Sequence, residues 1–389
     1  MKKNHFIFSI ITLVLLVVFI TSFNYFKTTN TYIDDSVNNQ TKITKGISMN
    51  LEQTAGAGDY KTVTRSSWPT EGYKFNTELS RCENGGEINW DDINKKVIVT
   101  GNVSDKCYVY FDIWIPSIAA YCTSGTDLAT CVKNFGDQGP SVSNIYIHNS
   151  ALTNGAGDNS YRYAGANPNN YVCFGSEATT CPDANLFRII GVFGDQAKVI
   201  RAKSVGDQPW HTSQVNNWSS SSLNTYLNGE YLTSLGTLAE KIATTTWKVG
   251  GGDEANISFS VPATAYQYEV GSSASTTTVD KKIGLMYVSD YYYGASPSAW
   301  TLVGYNESDA TKSYIAATST NWLYLGSTEW TISRNSGYTY LAFLVNSAGY
   351  VYYSGYVPVS LAVRPSFNLL SSVKYISGSG SMSDPVRIN

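Results

Sequence analysis

The chain has 389 residues, with 27 basic and 30 acidic side chains and a formal charge of −3. The charges form no blocks, and no Lys/Arg patch alternates with aromatics, which removes the electrostatic basis for gripping a phosphate backbone; no nucleic-acid partner is expected. Only 15% of residues are charged while tyrosine numbers 29, and with Ser, Thr, Asn and Gly filling the gaps this balance favours strands and turns over long surface helices.

The N-terminus reads MKKNHFIFSIITLVLLVVFITSFNYF. Lys2 and Lys3 precede an uncharged, mainly apolar run from Phe6 to Phe23. As a helix rising 1.5 Å per residue, such a run just crosses a bilayer core of roughly 30 Å. It exits through Thr21-Ser22-Phe23-Asn24, which lacks the small-residue pattern of a cleaved secretory signal. The reading is a signal-anchor transmembrane helix over 1–27, with a cleaved signal as the alternative, and a polar stalk over 28–46. The positive-inside rule then predicts a single-pass protein of the cell membrane with its C-terminal bulk extracellular.

All six cysteines lie beyond that segment and fall into neighbouring couples. Of the 15 arrangements that six cysteines allow, the expected one is Cys82–Cys107, Cys122–Cys131 and Cys173–Cys181. Zinc needs CxxC-type spacing or nearby histidines, and neither is present. Bridged cysteines belong to an oxidising compartment.

Residues 47–115 read as a small disulfide-stapled β domain. Ile88 and Trp90 alternate with polar neighbours, Asp91 to Asn94 supply a turn, and Val97 and Val99 alternate on the return, with Cys82 and Cys107 closing the open end. Residues 116–143 read as a helical connector, with Thr126 as N-cap and Gly136 as stop. The largest domain, 144–389, opens with a hairpin of apolar runs 186–193 and 197–205 around Gly194-Asp195. Two helices follow, one with Leu223, Tyr226 and Leu227 on a face and the other with Tyr231, Leu235, Leu238 and Ile242, parted by Gly229. Short strands then recur to the C-terminus. The composite is an α+β fold with two helices and antiparallel sheets, not a doubly wound parallel sheet.

Catalytic chemistry finds little to stand on. Nucleophilic catalysis needs a base beside its nucleophile. His5 lies in the expected membrane segment, His148 reads as a strand-end cap and His211 as a loop residue. Asp34/Asp35, Asp91/Asp92 and Asp253/Glu254 are adjacent pairs in stalk, turn and loop, where carboxylates are solvated rather than opposed across a substrate. Asp158, Asn159 and Ser160 are too few for calcium, which takes six to eight oxygens. No enzyme activity, cofactor or metal is expected.

The stretch GYVYYSGY, 349–356, raises a different possibility. As a regular strand it turns Tyr350, Tyr352 and Ser354 one way and Val351, Tyr353 and Gly355 the other. Tyrosine offers a rigid apolar face with a polar tip at low entropic cost, which suits a binding surface; it is also good cross-strand filler. The candidate ligand-binding set is Trp330, Arg334, Asn346, Tyr350, Tyr352, Tyr353 and Tyr356, residue types that carry interface energy. YVSDYYYGAS, 287–296, poses the same choice, and Arg364-Pro365 reads as part of a buried hydrogen-bond network.

The segments WSSSSLNTYLNG (218–229), EWTISR (329–334), AFLVNSAGYV (342–351) and AVRPSFNL (362–369), with CENGG…DKCYVYFD and GDNSYRYAGANPNNYVCFG upstream, resemble an uncharacterised domain. That domain is abundant in surface and secreted proteins of low-GC Gram-positive bacteria. The resemblance covers roughly residues 75–389 and implies a C-type-lectin-like fold, akin to formylglycine-generating-enzyme-like and phage variable-protein domains. It implies a ligand-binding surface module. Asn167-Pro168-Asn169 lacks the carboxylate of the calcium-dependent sugar site, and there is no Trp-Asn-Asp. Cys173 and Cys181 read as a staple rather than the oxidase pair. The functional expectation is an adhesin-like, non-enzymatic binder of a glycan or protein ligand outside the cell. Alternatives are a structural cell-envelope or pilus-like assembly component and, more remotely, a hydrolase.

Overall fold

The computed structural model describes residues 46–389 apart from 55, 65–67, 70–71, 92–93, 101–104, 115, 307 and 310. The expected transmembrane helix over 1–27 and all but the last residue of the stalk lie outside the described residues. Among the described residues no helix is long and apolar enough to cross a membrane. The single-pass membrane location is therefore corrected: it has no support in the fold. What the fold does carry is three disulfides in the expected pairing, Cys82–Cys107, Cys122–Cys131 and Cys173–Cys181, which fit an extracellular protein.

The α+β expectation is also corrected. The chain is mostly β-sheet, 34% strand against 21% helix, and its helices are short. The stretch read as two amphipathic helices breaks into pieces: α over Ser222–Tyr226, π over Leu227–Tyr231, α over Leu232–Ser234 and 3-10 over Gly236–Lys241. Its apolar spacing does identify what is buried, since Leu223, Leu227 and Tyr231 all enter the core. Regular helix is lost where Asn228 docks its amide on the backbone of Ile283, accepting from Ile283 N (3.0 Å) and donating to Ile283 O (2.8 Å). A wider turn of this kind is a common device for redirecting one side chain.

The chain divides into two compact units, 1–115 and 116–389. In the first, strands Tyr60–Val63, Ile47–Glu52, Cys107–Ile113 and Tyr73–Cys82 lie side by side in that order. The strand Cys107–Ile113 alternates, burying Cys107, Val109 and Phe111 while Tyr108, Tyr110 and Asp112 stay half-buried. The expected hairpin forms from Glu87–Asp91 and Lys96–Thr100, with Trp90 opposite Val97. Phe75, Trp90 and Phe111 pack ring to ring, Trp90 and Phe111 at 5.4 Å.

In the second unit the hairpin strands Leu186–Phe193 and Gln196–Arg201 lie inside the main sheet. Gly194 turns between them at φ 64°, a conformation that glycine adopts without a Cβ clash. Leu186 to Val192 are all buried, as expected of a strand covered on both faces. The sheets are not wholly antiparallel: Val386–Ile388 runs parallel beside Tyr171–Cys173, and Glu329 pairs in parallel with Ala362. A five-stranded sheet runs Asp207–Pro209, Ser360–Ala362, Glu329–Arg334, Leu341–Val345, Val351–Tyr356, with the tyrosine-rich strand at its edge.

The segment read as a connector belongs to this unit. Helix Leu128–Gly136 contributes Leu128, Cys131, Val132 and Phe135 to its core. Its N-cap is Asp127 rather than Thr126, and the Asp127 carboxylate takes Lys374 Nζ at 2.5 Å. Gly136 is set by close packing: a Cβ there would sit 2.7 Å from the Tyr161 ring.

Candidate functional site

Three of the seven candidate residues make side-chain hydrogen bonds within the fold. Trp330 is only 1% exposed and donates its indole N–H to Gln208 O at 3.0 Å. Arg334, half-buried, donates Nε–H to Gly250 O at 2.8 Å. Asn346 folds the turn ahead of the edge strand, its Oδ1 accepting from the backbone N–H of Ala348 and Gly349, each at 2.9 Å, and of Tyr350 at 3.3 Å. Burial removes Trp330 from the binding face, while half-buried Arg334 and Asn346 each have one polar group bonded within the fold. The second tyrosine stretch is core as well. Tyr291, Tyr292 and Tyr293 are sealed in helix Val288–Tyr293, and their hydroxyls donate to Gly349 O, Ile257 O and Asn154 O.

The tyrosines of the edge strand behave differently. Between Ala342 and Leu344 the register against Leu341–Val345 shifts, so that Gly355 faces Ala342 but Tyr352 faces Leu344. The edge strand thus holds one extra residue, a β-bulge, and strict alternation of its side chains is lost. Beside it runs a loop that the sequence did not single out. Val351 N donates to Gly304 O (3.1 Å), Gly304 N to Ser260 O (3.2 Å) and Tyr305 N to Ser258 O (2.7 Å). This ladder brings Tyr305 alongside the strand. Its ring centroid lies 5.0 Å from Tyr350, 5.7 Å from Tyr352, 5.5 Å from Tyr353 and 5.2 Å from Phe259. Phe259 in turn lies 5.3 Å from Tyr353.

The result is an aromatic cluster with a buried centre and an open rim. Tyr305 is 6% exposed, Tyr350, Tyr352 and Tyr353 are half-buried, and Phe259 is 44% exposed. Tyr356 stands apart, exposed and 6.3 Å from exposed Tyr340, which neighbours Tyr338 at 6.1 Å. Rings at 5 to 6 Å in tilted and edge-to-face arrangements brace one another, so the rim offers rigid apolar area. Phe259 and Tyr305 carry no local signal in the sequence: each is a single aromatic in a polar loop.

The other residues weighed for chemistry are committed to structure. His148 is fully buried; its Nδ1 accepts from Ala156 N at 3.0 Å, and its ring meets Tyr293 edge-to-face at 4.5 Å. Asp158 accepts from Ser160 and, at 2.7 Å, from Arg162 Nη2. Arg364 is held in a buried pair with Glu329, the network expected of it. Asp253 caps a helix through Asn256 N.

Comparison of the chain with family models, with curated proteins and with solved structures finds no match.

Proposed function

We propose that this protein is an extracellular recognition module that holds a glycan or protein ligand against the aromatic rim formed by Phe259, Tyr350, Tyr352 and Tyr353 around Tyr305. One observation carries the reading. Rings from three separate segments converge on one half-open cluster at a sheet edge, although each could have been buried or dispersed. Rigid, part-exposed rings lose little freedom on binding and present flat apolar area, which suits both sugar rings and protein side chains. The resemblance to C-type-lectin-like surface domains points the same way, and we assign the chain to them as part of this proposal. Most of the segments bearing that resemblance lie in the second unit, where Trp218, Trp330 and Arg364 are buried, while CENGG…DKCYVYFD lies in the first.

A glycan and protein binding screen of the full chain tests the reading, followed by Phe259→Ala and Tyr353→Ala with the ligand found. Phe259→Ala should weaken binding about tenfold at a stability cost of about 1 kcal/mol, because that ring is 44% exposed. Binding that survives both substitutions would remove the site. The edge position of Val351–Tyr356 favours one other reading, pairing between copies of the chain. Concentration-dependent oligomers in solution, with no ligand in the screen, would decide for assembly.

A further inference from the structure

A second feature of the same unit lies apart from the aromatic rim and shares none of its rings. A cavity of about 250 Å³ opens between strands Tyr161–Tyr163, Gln196–Arg201 and Thr245–Lys248 and helices Pro262–Glu269 and Val288–Tyr293. At roughly 30 Å³ per water it has room for a single ring-sized molecule. Lys198 and Asp290, both at least nine-tenths buried, meet at its wall, Nζ to Oδ2 at 2.5 Å. Arg162 approaches the other oxygen of Asp290 at 3.6 Å.

Lys198 is packed by rings more than by acceptors, whereas Arg162 also donates to Ser160 Oγ and Asp158 Oδ2, each at 2.7 Å. Lys198 has three N–H donors, and its hydrogen-bond partner among the described residues is Asp290. Its remaining close neighbours are the ring faces of Tyr287 at 4.6 Å, Trp247 at 5.3 Å and Phe193 at 5.5 Å. Arg162 lies over Phe193 at 4.6 Å, Tyr293 at 5.1 Å and Tyr266 at 5.4 Å. Arg162, Lys198 and Lys248 line the cavity against only Asp158 and Asp290. Glu269, buried nearby, is turned away to the backbone N–H of Val288 and Ser289 and to the hydroxyl of Ser333. Among the side chains that line it, the wall thus sets three cations against two carboxylates, with Glu269 behind it, and Lys198 has donors without a hydrogen-bond partner among the described residues.

A purely structural ion pair gives no reason for this arrangement, since a buried pair is often matched or bettered by apolar residues of similar volume. We propose that the cavity binds a small carboxylate carrying a ring, with the carboxylate against Lys198 and the ring against Trp247 and Tyr287. The wall supplies the missing positive charge, preorganised and shielded from water, and the aromatic surfaces take the body of the ligand. An aromatic acid and a sugar acid share this chemistry.

The test is titration of the full chain with 4-hydroxyphenylacetate and with glucuronate, each beside its uncharged amide, followed by calorimetry or ligand-observed NMR. At least one acid should bind, and about tenfold or more tightly than its amide; which acid binds identifies the source. Lys198→Met should weaken that binding about tenfold or more. Thr246→Trp, which places a large ring at an exposed position of the cavity wall, should abolish it without lowering the melting temperature, and it decides the matter if Lys198→Met fails to fold. The proposal is overturned if neither acid binds up to about 10 mM, if acid and amide bind alike, or if Thr246→Trp binds as the parent does.

Discussion

Arg364 meets Glu329 through two parallel hydrogen bonds, Nε to Oε2 at 2.7 Å and Nη2 to Oε1 at 2.6 Å, and both side chains are sealed from solvent. Nη2 also donates to Leu323 O, so the guanidinium ties the link between strands Ser360–Ala362 and Ser366–Asn368, the turn at Leu323 and the strand Glu329–Arg334 together. Such a pair is held by geometry rather than by net gain: the two desolvation costs nearly offset the attraction, and removing one partner strands the other. Glu329→Gln should therefore lower unfolding free energy by about 3–5 kcal/mol. The double change Glu329→Leu with Arg364→Met should recover most of it. Urea unfolding of the three proteins checks both statements, and a double variant as weak as the single one would refute the account.

His148 supplies a pH dependence. Burial drives its pKa down to about 2, with Arg162 adding to the effect and Asp158 opposing it. The unfolded chain binds a proton near pH 6.5 that the folded chain refuses, so its contribution is complete above 6.5 and is lost as pH falls towards 2. Between pH 7.5 and 5 the loss is about 2 kcal/mol. Asp158, also lowered to about 2, acts only below the ordinary carboxylate range and leaves this window clear. Glu269 and Glu329, raised by burial, act with the opposite sign. The difference between the parent and His148→Asn therefore isolates the imidazole. The variant should lack the 2 kcal/mol acid loss in urea titrations; an unchanged pH slope would place the sensitivity elsewhere.

Gly304 sets the position of Tyr305. A Cβ there would lie within bonding distance of the Tyr292 hydroxyl, which itself donates to Ile257 O at 2.9 Å. Gly304→Ala should cost about 1–3 kcal/mol through overpacking. In a Tyr292→Phe background the penalty should shrink, giving a coupling of about 1 kcal/mol in a double-mutant cycle. Simple additivity would show that the close approach does not govern this site.

The Cys82–Cys107 bridge joins residues directly opposite one another on paired strands of the first unit. Removing it with Cys82→Ser and Cys107→Ser should destabilise that unit by roughly 3 kcal/mol, on the chain-entropy view of a cross-linked loop. The second unit keeps its own two bridges. Calorimetry should show one transition falling and the other unmoved. A common shift of both would mean that the units unfold as one.

Much of the local structure was legible. The cysteine couples, the Gly194-Asp195 hairpin and the Trp90/Val97 pair are short-range features whose partners lie within reach along the chain. Arg364 could be read as buried, but its partner could not, because Glu329 is 35 residues away and no local pattern links them. The helical spacing at 223–242 named the right core residues and the wrong regularity, since Asn228 found a backbone partner 55 residues away. Trp330, Arg334 and Asn346 have the composition of an interface, yet Trp330 is buried with its indole N–H bonded, and Arg334 and Asn346 each spend one polar group inside the fold.

The aromatic rim and the charged cavity belong wholly to the tertiary level. Alternation along 349–356 assigns Tyr352 and Tyr353 to opposite faces, and a single bulged residue undoes that assignment. Tyr305 and Phe259 are unremarked where they stand in the chain, and they, like Lys198 and Asp290, matter through what long-range pairing sets beside them. The sequence by itself determined the oxidised bridges, the hairpins and the apolar positions that must be buried, because spacing and side-chain chemistry act over a few residues. Only the tertiary structure decided which tyrosines gather and which charges share a cavity, because bulges and cross-strand register are set by packing between segments far apart in the chain.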